Sequence, residues 1–416
     1  MAQVAPGGGG PAVPPGQAGS VPRGEVVTPA SGLVKPGDFG RAAHTNIEIF
    51  VPPPGANPDL PPFETPASVA CAYRFVAPAS GCDPNIVTTN ASGGSHAIAI
   101  VDAYHYSAAA GDLTVFASQF SLPAADLHVI YASQGDCVEG GTPPPSGSGT
   151  GWDLEAALDI EWAHAMAPAA TIYLVEAQSN QYSDMFAAID VAVKCVQMNG
   201  GGQMSLSWGS AEFSGQTAFD SHFNASNVIF FVSAGDAPGP SFPATVPGVI
   251  SVGGTSFSRD ANTHAWQGEF VWKDTGGGPS TIYARPSYQD GIANIVGSSR
   301  GTPDLGALAD PRTGVWVRNT TYRPGSSGWW FVGGTSLSSP MIAAIANQFG
   351  LFFASTDAFL SLIYTLGPSP DYGKYLTDIS NGFCGPYNSY VPQLTKSATG
   401  LAWDFCTGWG SPHGAN

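Results

Sequence analysis

The 416-residue chain has only 11% charged residues, with 31 acidic against 14 basic side chains, and it is rich in Gly (53) and Pro (36). An acidic excess of this kind argues against nucleic acid or an anionic membrane surface as a partner. The scarcity of Lys and Arg also limits self-repulsion once carboxylates are neutralised, so the chain is expected to tolerate acid.

Residues 1–65 are Gly/Pro-rich with little periodicity, and are expected to form a largely disordered or extended tail. Residues 66–416 are expected to form one large domain. Residues 97–104 are a continuous apolar run that ends in Asp102-Ala103-Tyr104, as a strand buried on both faces would. A helix is predicted over 112–120 and a strand over 128–131. After a Gly/Pro/Ser loop at 140–151, a helix is predicted to run to Met166, with Asp153 as a candidate N-cap and Leu154, Leu158, Trp162 and Ala165 marking a buried stripe. Strands at 171–175, 204–208, 228–234 and 249–252 and a helix at 183–198 follow. This alternation implies an α/β fold with a predominantly parallel sheet, helices on both faces and ligands at the carboxyl ends of the strands. The turn-rich stretch 257–330 reads as long surface loops.

Six cysteines at 71, 82, 137, 195, 384 and 406 show no metal-ligand spacing, and an even count in a low-charge chain favours disulfides and an oxidising compartment. Fifteen pairings are possible. The pairs closest in sequence, Cys71 with Cys82 and Cys384 with Cys406, are expected, leaving Cys137 with Cys195. Asn90, Asn224 and Asn319 begin glycosylation sequons. No stretch is long and apolar enough to span a membrane, and the opening residues lack a signal-peptide core.

The chemistry centres on residues 331–350, where an apolar strand end meets Gly333-Gly334-Thr335-Ser336 and then an apolar run of helical length containing Pro340. A hydroxyl at such a corner is held at a fixed angle beside free N–H groups and the positive end of a helix dipole, which suits a nucleophile. The alternative is that Thr335 and Ser336 merely cap a helix. Residues 252–256 repeat the words Val-Gly-Gly-Thr-Ser without the proline or the apolar helix, and read as a strand and turn.

None of the eight histidines lies in a setting suited to serve Ser336 as base. A carboxylate can replace histidine if the enzyme works where Glu titrates. Glu155 and Asp159 are one helical turn apart and share a face; the alternative is a solvated acidic face, and Glu161 lies well round the helix. Asp236 follows the apolar run 228–234 at a sheet edge. A protonated carboxyl there can donate to a developing oxyanion; the alternative is a turn cap before Pro238.

Together these words resemble the sedolisin family, the serine-carboxyl peptidases. Gly333-Gly334-Thr335-Ser336-Leu337-Ser338-Ser339-Pro340 resembles its nucleophile motif, Glu155-x-x-x-Asp159 its acidic helix, and Ser233-Ala234-Gly235-Asp236 its oxyanion segment. The resemblance implies a subtilisin-like fold, with Ser336 as nucleophile, Glu155 as general base then acid, Asp159 orienting Glu155 and Asp236 donating to the oxyanion. It further implies substrate-backbone binding by Ser207, Trp208 and Gly209, and an accessory role for Asp102. The C-terminal segment 378–410 resembles the family's calcium site, with Asp378 and Asp404 carboxylates and the carbonyls of Ile379, Gly400 and Ala402 around one structural Ca2+. Gly333, Ala402 and Ala344 depart from the usual family residues. The expectation is a secreted, monomeric, acid-acting endopeptidase for protein or peptide substrates. Tripeptidyl exopeptidase activity, a histidine-based subtilisin and a non-catalytic scaffold are the alternatives.

Overall fold

The computed structural model describes residues 24–53, 63–385 and 403–414. Eight strands build the central sheet: β1 (Ala97–Ala103), β2 (Asp126–Tyr131), β3 (Thr171–Ala177), β4 (Gly202–Leu206), β5 (Val228–Ser233), β6 (Ile250–Arg259), β7 (Trp266–Val271) and β8 (Leu305–Leu308). Their order is β7-β6-β5-β4-β1-β3-β2, with β8 also alongside β6. Only β7 runs antiparallel. Among the described residues, six α-helices of seven residues or more pack around the sheet: α1 (Pro66–Ala72), α2 (Ala109–Gln119), α3 (Trp152–Met166), α4 (Tyr182–Met198), α5 (Thr335–Gln348) and α6 (Thr356–Leu366).

Both faces of the sheet are covered, which is why its strands read as apolar runs rather than alternating ones. Ile98 and Ile100 of β1 point into a core shared with α2, α3, α5 and α6, while Ala97, Ala99 and Val101 point into a second core shared with α4. Burying a Val, Leu or Ile side chain contributes roughly 1.5–3 kcal/mol, so the two cores dominate stability. Polar pairs fix how α5 lies on the sheet. Ser205 and Ser339 hydroxyls are 2.9 Å apart, and the Asn347 amide donates to the Gln203 side chain at 2.8 Å.

Two expectations fail. Residues 24–53 are not a loose tail. Glu25–Val27 pairs with Glu48–Val51, which continues through Trp329–Gly333 to Val315–Arg318 as a four-stranded antiparallel sheet. His44–Thr45 pairs with Trp208–Ala211, and Ala42, Ala43 and Ile47 are fully buried. These strands are two to four residues long, and the partners of the inner two lie far along the chain, so local composition carries no trace of them. Residues 1–23 and 54–62 lie outside the described residues. The stretch 257–330 is likewise not surface loop. It holds β7, β8 and the antiparallel pair Gly278–Ala284 with Ser299–Thr302. Short strands broken by Gly and Pro give no readable period.

The motif repeated at 252–256 is part of β6, a framework strand, as expected. The three disulfides are Cys71–Cys82, Cys137–Cys195 and Cys384–Cys406, the expected pairing. Among the described residues no helix is long and apolar enough to cross a membrane. The Cys137–Cys195 bridge closes the longest loop, 58 residues, and ties the α4 core to the loop after β2. Replacing both cysteines by serine is expected to lower stability by about 2–4 kcal/mol in denaturant melts, more than removing the 11-residue Cys71–Cys82 loop.

Candidate active site

The strand Trp329–Gly333 turns into α5 through Gly334, whose φ of +99° favours glycine. A Cβ on Gly334 would stand 2.1 Å from the Asn46 carbonyl oxygen and 2.5 Å from Asp236 Oδ2, so only glycine lets both atoms approach the corner. Thr335 and Ser336 do not cap the helix. Gly334 occupies the N-cap position with no side-chain cap, and the Thr335 hydroxyl donates instead to Asp236 Oδ1 at 2.8 Å.

Ser336 is fully buried. Its N–H donates to the Asn46 carbonyl at 3.0 Å, and its hydroxyl donates to the Ser207 carbonyl, also at 3.0 Å. Pro340 lies inside α5 rather than in its first turn, four residues beyond Ser336. Having no N–H, it leaves the Ser336 carbonyl without the usual helical donor. The Ser207 hydroxyl fills that gap at 3.2 Å while lying 2.8 Å from Asp159 Oδ1. One hydroxyl proton cannot serve both acceptors fully; both contacts are satisfied when Asp159 carries a proton and donates it to Ser207.

The solvated-face alternative for Glu155 and Asp159 fails, because every residue of α3 is buried. The apolar stripe is only part of a helix enclosed on all sides by α2, α5 and the sheet. Asp153 is not the N-cap, a place taken by Gly151; its carboxylate accepts the Gly149 and Gly151 N–H groups and the Thr321 hydroxyl, which pins the preceding loop. Neither oxygen of Glu155 or of Asp102 has a hydrogen-bond partner, nor has Asp159 Oδ2. Burial first, then the charges of Asp159 and Asp102, hold the Glu155 carboxyl well above the ordinary range; Ser336 is near enough to pull it down somewhat, although no hydrogen bond joins them here. Burial and Asp102 raise Asp159, and burial and Glu176 raise Asp102. Glu161 belongs elsewhere: its Oε2 accepts the Arg318 N–H at 2.9 Å.

Asp236 approaches from the end of β5. Oδ1 accepts the Thr335 N–H at 2.7 Å, while buried Oδ2 has no partner. Burial raises its pKa well above the usual range, with the Thr335 N–H opposing. Hydrogen bonds thus join Ser336 to Ser207 and Ser207 to Asp159, Asp236 is bonded to the neighbouring Thr335, and Glu155 and Asp102 lie in the same electrostatic cluster. None of the histidines is bonded to Ser336; His164, on α3, is buried with Nε2 on the Pro123 carbonyl, and burial lowers its pKa. Trp208 is fully buried and donates its indole N–H to the Val101 carbonyl, while its backbone pairs with Thr45. A Cβ on Gly209 would meet the Phe242 carbonyl oxygen at 2.8 Å. Asn46 was missed from sequence, since nothing in its neighbourhood distinguishes it from the rest of the Gly/Pro-rich segment.

At the C-terminal segment, Asp404 is buried, with Oδ1 accepting the Cys406 and Thr407 N–H groups. Burial pushes its pKa up to about 7, with the nearby Asp378 charge contributing. A buried carboxylate with a second, half-buried one near enough to raise its pKa offers the oxygen ligands a hard cation takes. The buried Ile379 lies next to Asp378, whereas Gly400 and Ala402 lie outside the described residues. Among the described residues no cluster of three or more His, Cys, Asp or Glu side chains forms a metal site.

A mostly parallel sheet, a serine at the head of a buried helix and carboxylates around it define a subtilisin-like protein whose serine is surrounded by acid groups. A family model described as the subtilase family matches residues 147–349. Kumamolisin of Bacillus sp. (strain MN-32) is 31% identical over 84% of this chain and 62% of its own length. Sedolisin of Pseudomonas sp. (strain 101) is 30% identical over 41% of this chain and 28% of its own length. Dog tripeptidyl-peptidase 1 is 32% identical over 42% of this chain and 31% of its own length. The chain therefore spans less than two thirds of the length of these relatives. A solved Pseudomonas sedolisin, a serine-carboxyl proteinase complexed with pseudo-iodotyrostatin, shares the fold with a TM-score of 0.62 at 24% identity, covering 84% of this chain and 95% of that one. The chain shares the subtilisin-like fold, and its matched stretches are similar to kumamolisin, sedolisin and tripeptidyl-peptidase 1.

The raised carboxyls set the pH dependence of stability. For Asp102, Glu155, Asp159 and Asp236 the folded state holds protons more tightly than the unfolded state. Their stabilising contribution is complete below the unfolded carboxyl pKa of about 4 and is lost as pH rises through the folded values. In the Ser336→Ala variant the melting temperature is expected to be higher at about pH 4 than at about pH 8. Adding Glu155→Gln should flatten that difference, as followed by circular dichroism.

Proposed function

We propose that the protein is an acid-acting serine-carboxyl endopeptidase that hydrolyses peptide bonds through an acyl-enzyme on Ser336. The observation that carries this reading is the buried hydrogen-bonded set Ser336, Ser207 and Asp159, with Asp236 fixed beside the Ser336 corner and Glu155 one turn from Asp159. Rotation about its Cα–Cβ bond releases the Ser336 hydroxyl from the Ser207 carbonyl toward Glu155, which takes the proton as Oγ attacks the substrate carbonyl. Asp159, protonated and held by Ser207, keeps negative charge concentrated on Glu155, and Asp102 adds to that bias. The Ser336 N–H and a protonated Asp236 Oδ2 stabilise the oxyanion. Glu155 then returns its proton to the leaving amine, and water repeats the sequence to free the enzyme. Substrate backbone pairs with Ser207, Trp208 and Gly209.

Peptides with blocked amino termini distinguish endopeptidase from tripeptidyl action: the endopeptidase cuts them and a tripeptidyl exopeptidase does not. The setting is extracellular or another acidic, oxidising compartment, consistent with three disulfides and the acid preference of the site. The protein acts as a monomer on protein or peptide substrates.

Activity on denatured casein is expected at about pH 3–5, where carboxyls titrate, and to fade at neutral pH. Ser336→Ala and Glu155→Gln should each lower kcat at least about a thousandfold. Asp236→Asn should cost about a hundredfold or more, as expected for loss of an oxyanion donor. Equal inactivity of the folded wild type and Ser336→Ala at acid pH would leave a non-catalytic scaffold as the correct description.

We further propose that Asp378 and Asp404, with the carbonyls of Ile379, Gly400 and Ala402, hold one structural Ca2+. The cation would neutralise the buried Asp404 and the half-buried Asp378 and tie the C-terminal segment to the domain. Calcium at a hundredfold excess over its Kd should stabilise EGTA-treated protein by about 2.7 kcal/mol in thermal melts. Asp404→Asn should lose that increment.

A further inference from the structure

Glu176 is a buried acid for which the proposed reaction has no use. It stands directly opposite Asp102 in the parallel pairing of β1 with β3. Ile98 and Ile100 on β1, and Ile172 and Leu174 on β3, point into the core shared with α3. By the two-residue alternation of a strand, Asp102 and Glu176 project to that same face. Each is only 1% exposed. Two carboxyls side by side in the interior resist being charged together.

Their surroundings decide which one carries the charge. Glu176 Oε1 accepts the Tyr106 N–H at 2.9 Å, and Oε2 lies 2.7 Å from His105 Nδ1. Asp102 has a partner on neither oxygen. Donors favour the ionised form at Glu176, and their absence favours the protonated form at Asp102. Burial raises the Glu176 carboxyl above its ordinary range, opposed by the Tyr106 N–H and His105; at Asp102 the Glu176 charge adds to burial. The backbone is bent to make this contact. Tyr104 donates its N–H to the Ala177 carbonyl at 2.8 Å and takes a φ of +70°, a left-handed conformation uncommon for an aromatic residue. The turn carries His105 and Tyr106 back to Glu176. His105 is fixed there by its N–H on the Pro145 carbonyl and its carbonyl on the Gly147 N–H, within the loop that leads into α3, and its imidazole is partly exposed. Tyr131, at the end of β2, meets the His105 ring edge-on at 5.5 Å between ring centres. From α3, Glu155 and Asp159 face Asp102, and Asp236 in turn faces Glu155. Among the described residues His105 is the one basic side chain bonded to either Glu176 or Asp102.

We propose that Glu176, held ionised by His105 and the Tyr106 N–H, is a positioning residue that keeps the proton on Asp102 and so leaves the negative charge of the acid cluster to Glu155. This inference rests on the peptidase reading of the same site. A charge on Asp102 opposes ionisation of Glu155, so a neutral Asp102 lets the base lose its proton at lower pH. Glu155 has no donor on either oxygen and Glu176 has two, so Glu176 is the first of the two to ionise as pH rises. Without the Glu176 charge, Asp102 competes for the negative charge and Glu155 holds its proton to higher pH.

The test is the pH dependence of kcat/KM for casein hydrolysis by the purified full chain, whose acid limb reports the base of the free enzyme. In Glu176→Gln that limb is expected to move up by about one pH unit, the effect of one neighbouring charge. His105→Ala, which loosens the hold on the Glu176 charge, should move it the same way by less. Glu176→Asp, which keeps a carboxylate there, should move it less than Glu176→Gln does. In an Asp102→Asn background, whatever its rate, neither Glu176→Gln nor His105→Ala should move the limb. A limb that stays in place in both folded single variants, or that moves equally with and without the Asp102 carboxyl, overturns the inference and leaves the peptidase reading standing. If Glu176→Gln does not fold, His105→Ala with and without Asp102→Asn decides by the same criterion. A folded wild type with no casein activity at any pH overturns both.

Discussion

Asp102, Glu155 and Asp159 are carboxylates enclosed in the interior with no basic side chain bonded to them, and much of the structure depends on making that tolerable. Three negative charges in a low-dielectric site repel strongly, and each unpaired charge carries a large desolvation cost. Protonation relieves both. The arrangement is stable where the groups keep most of their protons, and one remaining negative charge can be shared among them. Acid conditions therefore favour the fold of the site as well as its chemistry. The low count of Lys and Arg works in the same direction, by limiting repulsion among positive charges when the surface carboxylates are neutral.

The parallel sheet is what gathers these groups. Asp102 lies near the carboxyl end of β1, Ser207 directly follows β4, and Asp236 follows β5 after a short turn. Because the three strands are parallel and adjacent through β4, their ends share one edge of the sheet. Helices α3 and α5 lie together on one face and bring Glu155, Asp159 and Ser336 to that edge. Pro340 adds a local coupling. By freeing the Ser336 carbonyl it gives Ser207 a second acceptor, so the strand end, the acidic helix and the Ser336 backbone are joined by one hydroxyl.

Most of this centre was legible as words in the chain. The Ser336 corner, the one-turn spacing of Glu155 and Asp159 and the Gly235-Asp236 segment stand out because the chemistry needs those residue types at fixed local spacing. The long sheet strands were legible too, since burial on both faces demands an apolar run. Ser207 could be named only through family likeness, and its link to Pro340 was invisible, because it joins residues more than a hundred positions apart in sequence. Asn46 and the strands around it were read as tail. Short strands paired to distant partners leave no periodicity, and the Gly/Pro-rich composition on either side suggests disorder. The same reasoning explains why β8, four small or aliphatic residues in a turn-rich stretch, went unnoticed.

The sequence by itself determined the sheet's main strands, the glycine-rich corner at Ser336, the one-turn spacing of Glu155 and Asp159 and the lack of a histidine placed beside that corner. These follow from local patterns, in which spacing along the chain equals spacing in a helix or strand. Tertiary structure alone decided that the acidic face of α3 is buried rather than solvated, which changes its carboxyls from ordinary surface acids into groups that hold protons. It also decided that residues 44–50 pair with Trp208–Gly209 and Phe331–Gly333 beside Ser336. Burial and long-range strand pairing depend on what the rest of the chain places alongside, and no window of sequence contains that information.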